Sequence, residues 1–186
     1  MKAYLFLAAG FEEIEAITPM DVLRRADIQL TTVSITNSLW VAGAHHITIE
    51  ADALFTDLDF NDADLLVLPG GMPGTTNLNN YHPLLDLILK HYSKGKTIGA
   101  ICAAPLILGK LGLLNNRDAT CYPGYEIHLK GANIIDEAVV RSSQIITSKG
   151  AGTALEFSLE LVAILTSAKK THEIASKMIA KTIEIV

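Results

Sequence analysis

The sequence predicts a doubly wound α/β domain, a mostly parallel sheet held between layers of helices. Three observations lead there. Apolar runs at 3–8, 65–68 and 97–101 lack the polar alternation of a half-exposed strand, so each reads as a strand covered on both faces. Amphipathic stretches of helical period, at 14–25, 83–92, 104–111 and 152–165, lie among these runs. The resulting β-α-β-α succession implies right-handed crossovers, and in such sheets a ligand site lies beyond the C-terminal ends of the strands.

Taken in order, 3–8 is the first strand, 28–35 a second and partly alternating one, and 65–68 and 97–101 are two more. A last helix is expected at about 170–181. The stretches 40–55 and 139–146, the latter around Ser142-Ser143, read as antiparallel excursions. Residues 1–186 contain no internal repeat, low-complexity tract or linker and are read as one domain.

Composition narrows the function classes. With 49% hydrophobic and 19% charged residues the chain is globular, and a net charge of −5 without a Lys/Arg cluster argues against a nucleic-acid partner. No apolar run reaches the roughly 18 residues that span a bilayer, so no membrane partner is expected. The apolar start runs directly into Glu12, Glu13 and Glu15, which reads as a buried strand and not a secretory leader. Two cysteines, Cys102 and Cys121, are too few for a disulfide framework. A cytoplasmic protein is expected.

Chemistry concentrates at Ala100-Ile101-Cys102-Ala103-Ala104-Pro105. A strand ends at Ile101, and Pro105 falls in the first turn of a helix, where its missing N–H costs nothing. Alanines two before and two after Cys102 suit the tight turn of a nucleophile elbow. The helix N-terminus favours thiolate over thiol. From this segment alone Cys102 is either an activated thiol or a small packed hydrophobe. Cys121 has no comparable setting.

Leu68-Pro69-Gly70-Gly71 follows another strand at the same end of the sheet, where paired glycines can turn N–H groups into a site. In Gly10-Phe11-Glu12-Glu13-Ile14-Glu15, after the first strand, Glu12 and Glu13 read as solvated charges that favour the helix dipole. Glu15 is placed to turn toward the strand ends. His45-His46 lies on an extended stretch, where successive side chains face opposite ways, so no metal site is expected there. His82, His91 and His172 read as surface residues, and His128 lies six residues past Tyr122.

Together with Thr147-Ser148-Lys149-Gly150-Ala151-Gly152-Thr153, these segments resemble the ThiJ/PfpI superfamily, in the branch of the Parkinsonism-associated deglycase. The resemblance implies a flavodoxin-like sandwich, similar to class I glutamine amidotransferases, and usually a homodimer. It matches Cys102 to the family nucleophile, Glu15 to the carboxyl group hydrogen-bonded to it, and Gly71 and Ala103 to the oxyanion donors. A charged Glu15 beside a thiolate would raise the cysteine pKa, so the pair is expected to share one proton.

Two departures matter. Ala103 stands where the protease-like branch has histidine, so peptide hydrolysis is not expected. Tyr122-Pro123 stands where the vertebrate branch has His-Pro, which leaves no Cys-His-acid triad. Tyr122 either orients a substrate or packs beside the pocket; with a pKa of about 10 it is a poor base.

The resemblance implies a cofactor-free enzyme for small reactive carbonyls, glyoxalase III-like or deglycase-like. The alternatives are a redox sensor or chaperone that uses an oxidisable Cys102, a role in thiazole monophosphate metabolism without a visible phosphate motif, and a catalytically idle member. The glycine turn at 147–153 resembles neither a P-loop nor a dinucleotide fingerprint, and no cofactor is expected.

Overall fold

The computed structural model describes residues 1–180. Its elements are β1 (Lys2–Leu7), α1 (Glu13–Arg25), β2 (Gln29–Ser34), β3 (Trp40–Ala42), β4 (Thr48–Glu50), β5 (Ala53–Leu54) and β6 (Leu65–Leu68). There follow α2 (Gly74–Asn80), α3 (His82–Ser93), β7 (Thr97–Ile101), α4 (Pro105–Lys110), β8 (Asp118–Ala119) and β9 (Asn133–Ile134). The chain continues through β10 (Val139–Ser142), β11 (Ile145–Ser148), α5 (Ala154–Leu165) and α6 (Ala168–Lys177).

The main sheet has the order β10-β11-β7-β6-β1-β2-β5. Its pairings are parallel except β10 with β11. This is the mostly parallel, helix-flanked sheet that the covered apolar runs predict. In β1, Ala3, Leu5 and Leu7 face one layer with Ala16, Leu23, Phe157 and Leu161, while Tyr4 and Phe6 face the other with Leu84, Ile88 and Ile107. Burial on both faces explains why the strand sequence does not alternate. Because β1 is followed by β2 on one side and β6 on the other, the strand order reverses between β1 and β6. That reversal opens a crevice beyond their C-terminal ends.

Several expectations need correcting. The 139–146 stretch is no separate excursion: β11 joins the main sheet parallel to β7, and only β10 turns back antiparallel at the edge. Ile145, Ile146, Thr147 and Ser148 are all buried, which an interior strand requires. The 40–55 stretch does form a β3–β4 hairpin, but β5 returns to the main sheet beside β2. Helix α2 was not anticipated. The last helix begins earlier than expected, at Ala168, where Ser167 caps it by accepting from the Lys170 N–H; position 181 lies outside the described residues.

Close approach between β7 and α5 fixes the strand that ends at Cys102. A side chain at Gly99 would meet Leu161 Cδ2 at 2.8 Å and Phe157 Cζ at 2.9 Å. Gly99→Ala is therefore expected to destabilise the fold by about 1–3 kcal/mol through overpacking, read from urea unfolding midpoints. An unchanged midpoint would show that α5 yields freely.

Candidate active site

Cys102 follows β7 directly and has a left-handed backbone, φ 64°. For a residue with a Cβ this costs about 1–3 kcal/mol and persists only where the surroundings over-determine it. Here they do. The Cys102 N–H donates to Ser148 O at 2.8 Å, and its carbonyl accepts from the Tyr122 N–H at 2.8 Å, so the turn is pinned from both sides. Ala100 and Ala104 are fully buried, and a side chain at Gly70 would come 2.6 Å from Cys102 Cβ. Small neighbours are thus a steric requirement of the elbow. Cys102 itself is half-buried.

Glu15 reaches the thiol from the first turn of α1. It is 1% exposed, accepts from the Gly70 N–H at 2.9 Å, and lies beside the Cys102 side chain, since a Cβ at Gly70 would meet Glu15 Oε2 and Cys102 Cβ alike at 2.6 Å. Glu15, Pro19 and Val22 share one buried stripe, and Pro19 is carried within the continuous helix. The loops after β1 and β6 are laced together: the Glu12 N–H donates to Gly70 O at 2.9 Å, and the Gly74 N–H to Gly10 O at 3.0 Å. Gly71 has φ 87°, and a Cβ there would run into the Glu12 amide and, at 2.7 Å, the Phe11 carbonyl carbon. Glycine satisfies both constraints. The backbone N–H groups of Gly71 and Ala103 lie near enough to the Cys102 sulfur to favour its thiolate.

Burial dominates the electrostatics. It pushes Glu15 up to about 7, against the lowering effect of Cys102 and the Gly70 N–H, and the Glu12 charge adds to the rise. Burial, followed by the Glu15 charge, pushes Cys102 up to about 12, against the N–H groups of Gly71 and Ala103. The second effect requires an ionised Glu15. When Glu15 keeps its proton, the repulsion is gone and its O–H can donate to sulfur, leaving both N–H donors to favour thiolate. The helix-dipole contribution expected at Cys102 is limited by the shortness of α4, six residues. Two negative charges in this space are disfavoured, so above about pH 7 the pair holds one proton and gives it up only toward pH 12.

The turn at 147–153 closes a third side. A side chain at Gly150 would lie 3.3 Å from Tyr122 Cδ2 and 3.8 Å from Glu15 Oε1. Tyr122 therefore flanks the pocket with its ring, 50% exposed. Tyr125 stacks edge-on at 6.3 Å from it, and His128 lies 6.0 Å beyond Tyr125. Cys121 is buried, and burial pushes its thiol up to about 11.

Two sequence readings fail. His91 is buried, not on the surface, with Nε2 2.9 Å from Thr97 O. Glu13 is 3% exposed and is not a solvated charge. Its carboxylate accepts from the His45 N–H at 2.7 Å and the Ile47 N–H at 3.3 Å, and pairs with His45 Nδ1 at 2.9 Å. Among the described residues, Glu12, Glu13 and His45 form one cluster of metal-capable atoms within 4.8 Å of one another. Both Glu13 oxygens there are already engaged.

Because folding raises Glu15 from an ordinary value of 4.5 to about 7, the folded chain binds more protons than the unfolded one between those values. Stability should therefore fall as pH rises through that interval. Glu15→Gln should abolish this fall, so that the variant gains on wild type between about pH 5 and pH 8, measured as urea midpoints. Parallel curves would contradict the raised carboxyl.

Comparison with known proteins places this chain in a family. The DJ-1/PfpI family matches residues 1–164. Protein DJ-1 homolog B of Arabidopsis thaliana is 37% identical over 97% of this chain, yet the chain spans only 42% of that relative's length. The glutathione-independent glyoxalase DJR-1.2 of Caenorhabditis elegans is 35% identical over 88% of this chain and 87% of its own. A deglycase of Pyrococcus abyssi is 29% identical over 89% of this chain and 99% of its own. Among solved structures, oxidised Toxoplasma gondii DJ-1 superposes with a TM-score of 0.94 at 30% identity, covering 97% of this chain and 99% of that one. By fold and by a match across most of its length, the chain belongs to the DJ-1/PfpI family.

Proposed function

We propose that the chain is a cofactor-independent cysteine enzyme acting on small reactive carbonyls, glyoxalase-like or deglycase-like, with Cys102 as nucleophile and Glu15 as proton donor and acceptor. The observation that carries this reading is the buried Glu15 carboxyl set beside Cys102 on its left-handed turn, with the N–H groups of Gly71 and Ala103 near the sulfur. Relatives named glyoxalase and deglycase support the substrate class.

For a ketoaldehyde such as methylglyoxal, the Cys102 sulfur adds to the aldehyde carbon. The carbonyl electron pair moves to oxygen, where the N–H groups of Gly71 and Ala103 hold it. Glu15 passes the pair's one proton to the ketone oxygen and, now a carboxylate, takes the proton from the former aldehyde carbon and returns it to the neighbouring carbon, while the alkoxide electron pair forms the thioester carbonyl. The first carbon is oxidised to a thioester while the second is reduced to an alcohol, so no external oxidant is needed. Water cleaves the thioester, releasing the hydroxy acid and restoring the thiol. Tyr122, exposed at the rim, orients the substrate by contact with its ring. The same addition and release would free early glycation adducts from thiols or amines.

A second reading has its own support. A half-buried thiol flanked by two N–H donors and a carboxyl is suited to oxidation and to holding a sulfinate, and one structural relative is an oxidised form. The exposed Ile14, Ile17, Trp40 and Ile47 support the homodimer that the resemblance implies.

Methylglyoxal turnover decides between the two. Cys102→Ser should abolish hydroxy-acid formation, and Glu15→Gln should lower kcat about 10²–10⁴-fold. Circular dichroism and light scattering should find fold and dimer intact in both. Turnover that survives in Cys102→Ser would sink the enzymatic reading.

A further inference from the structure

Outside the pair itself, the most constrained charged group on this side of the molecule is Glu13, which the chemistry above does not use. It lies almost fully buried at the start of α1, two residues before Glu15, and its carboxylate points away from the sulfur toward the β3–β4 hairpin. That hairpin forms a two-stranded sheet of its own, separate from the main sheet. Its attachment to the loop after β1 is concentrated at the tip. The Gly10 N–H donates to Ala42 O and the Ala44 N–H to Phe11 O, each at 2.8 Å. Glu13 adds the bonds from the His45 and Ile47 amides and the His45 ring. The fit leaves no slack, because a side chain at Gly43 would collide with Glu13 Oε1 and lie 2.5 Å from its Cδ.

The clamped loop is the one that sets the pair. On its other side, Glu12 bonds Gly70 through its N–H, Gly10 accepts from Gly74, and the backbone of 10–12 packs directly on Gly71. Gly70 in turn donates to Glu15. A displacement of residues 10–13 therefore moves Glu15 and the Gly71 N–H together.

We propose that Glu13 is a positioning residue: its buried carboxylate buckles the hairpin tip to the loop after β1 and thereby holds Glu15 and the Gly71 N–H in register with Cys102. The inference rests on the carbonyl chemistry only for its effect on turnover. The geometry of the pair can be read without any substrate.

Burying a carboxylate among backbone N–H donors gives bonds of the charge-assisted kind, stronger than neutral ones. Glutamine in its place keeps one acceptor for the backbone N–H groups, removes the charge and presents an N–H₂ to the His45 ring. Alanine at position 43 displaces the carboxylate while keeping its charge. A change common to both variants is therefore positional and not electrostatic.

The test uses the whole chain with Cys121→Ser, so that only Cys102 is alkylated. Iodoacetamide alkylation is followed against pH, and methylglyoxal kinetics are expressed per alkylatable thiol, in wild type, Glu13→Gln and Gly43→Ala. The expected result is an alkylation midpoint shifted in the same direction in both variants, with kcat about 10- to 100-fold lower and KM within about threefold of wild type. A purely structural role would lower the melting temperature but leave the midpoint and the kcat per thiol unchanged, and that result overturns the proposal. If Glu13→Gln does not fold, Gly43→Ala decides alone. If wild type does not turn over methylglyoxal, the carbonyl reading falls and the alkylation midpoints still decide whether Glu13 positions the pair.

Discussion

A thiol and a carboxyl occupy one space from which water is largely excluded, and they cannot both be charged there. Burial raises each of them, and ionisation of Glu15 raises Cys102 further. The unfavourable solvation is offset only by directed backbone dipoles: Gly70 toward Glu15, and Gly71 and Ala103 toward the sulfur. A pair arranged this way keeps one proton and passes it between two atoms, the capacity that acid–base chemistry on a carbonyl adduct requires.

The fold delivers these groups without long side chains. Strand order reverses between β1 and β6, so the loops that follow them meet beyond the strand ends and interlock through backbone hydrogen bonds. Strand β7, next to β6, ends in the left-handed turn of Cys102. That conformation is held by Ser148, at the end of β11, and by Tyr122, so strain at the nucleophile is supported from the neighbouring strand and loop. Glycines appear where backbone must approach backbone, as at Gly71 against Phe11 and Glu12.

Much of this was legible in the sequence because covered strands leave continuous apolar runs and a tight elbow demands alanines around Cys102. What was missed depended on partners distant in the chain. Glu13 is indistinguishable from a dipole-favouring surface charge until a hairpin some thirty residues later folds over it, as its bond to His45 shows. A signal was present even so: Glu13, Ala16, Met20 and Leu23 share one buried helical stripe. His91 likewise continues the stripe of Leu84 and Ile88. The membership of β11 in the main sheet was hidden by its turn at Ser143, which looks like that of an isolated hairpin.

The central question is which atom carries the shared proton, and infrared spectroscopy with thiolate ultraviolet absorbance on the same neutral sample answers it. A proton on Glu15 predicts a carboxylic-acid carbonyl band that vanishes in Glu15→Gln, together with thiolate absorbance that vanishes in Cys102→Ser. A carboxylate band with no thiolate absorbance would place the proton on sulfur, and Cys102 would then be a packed thiol and not a poised nucleophile.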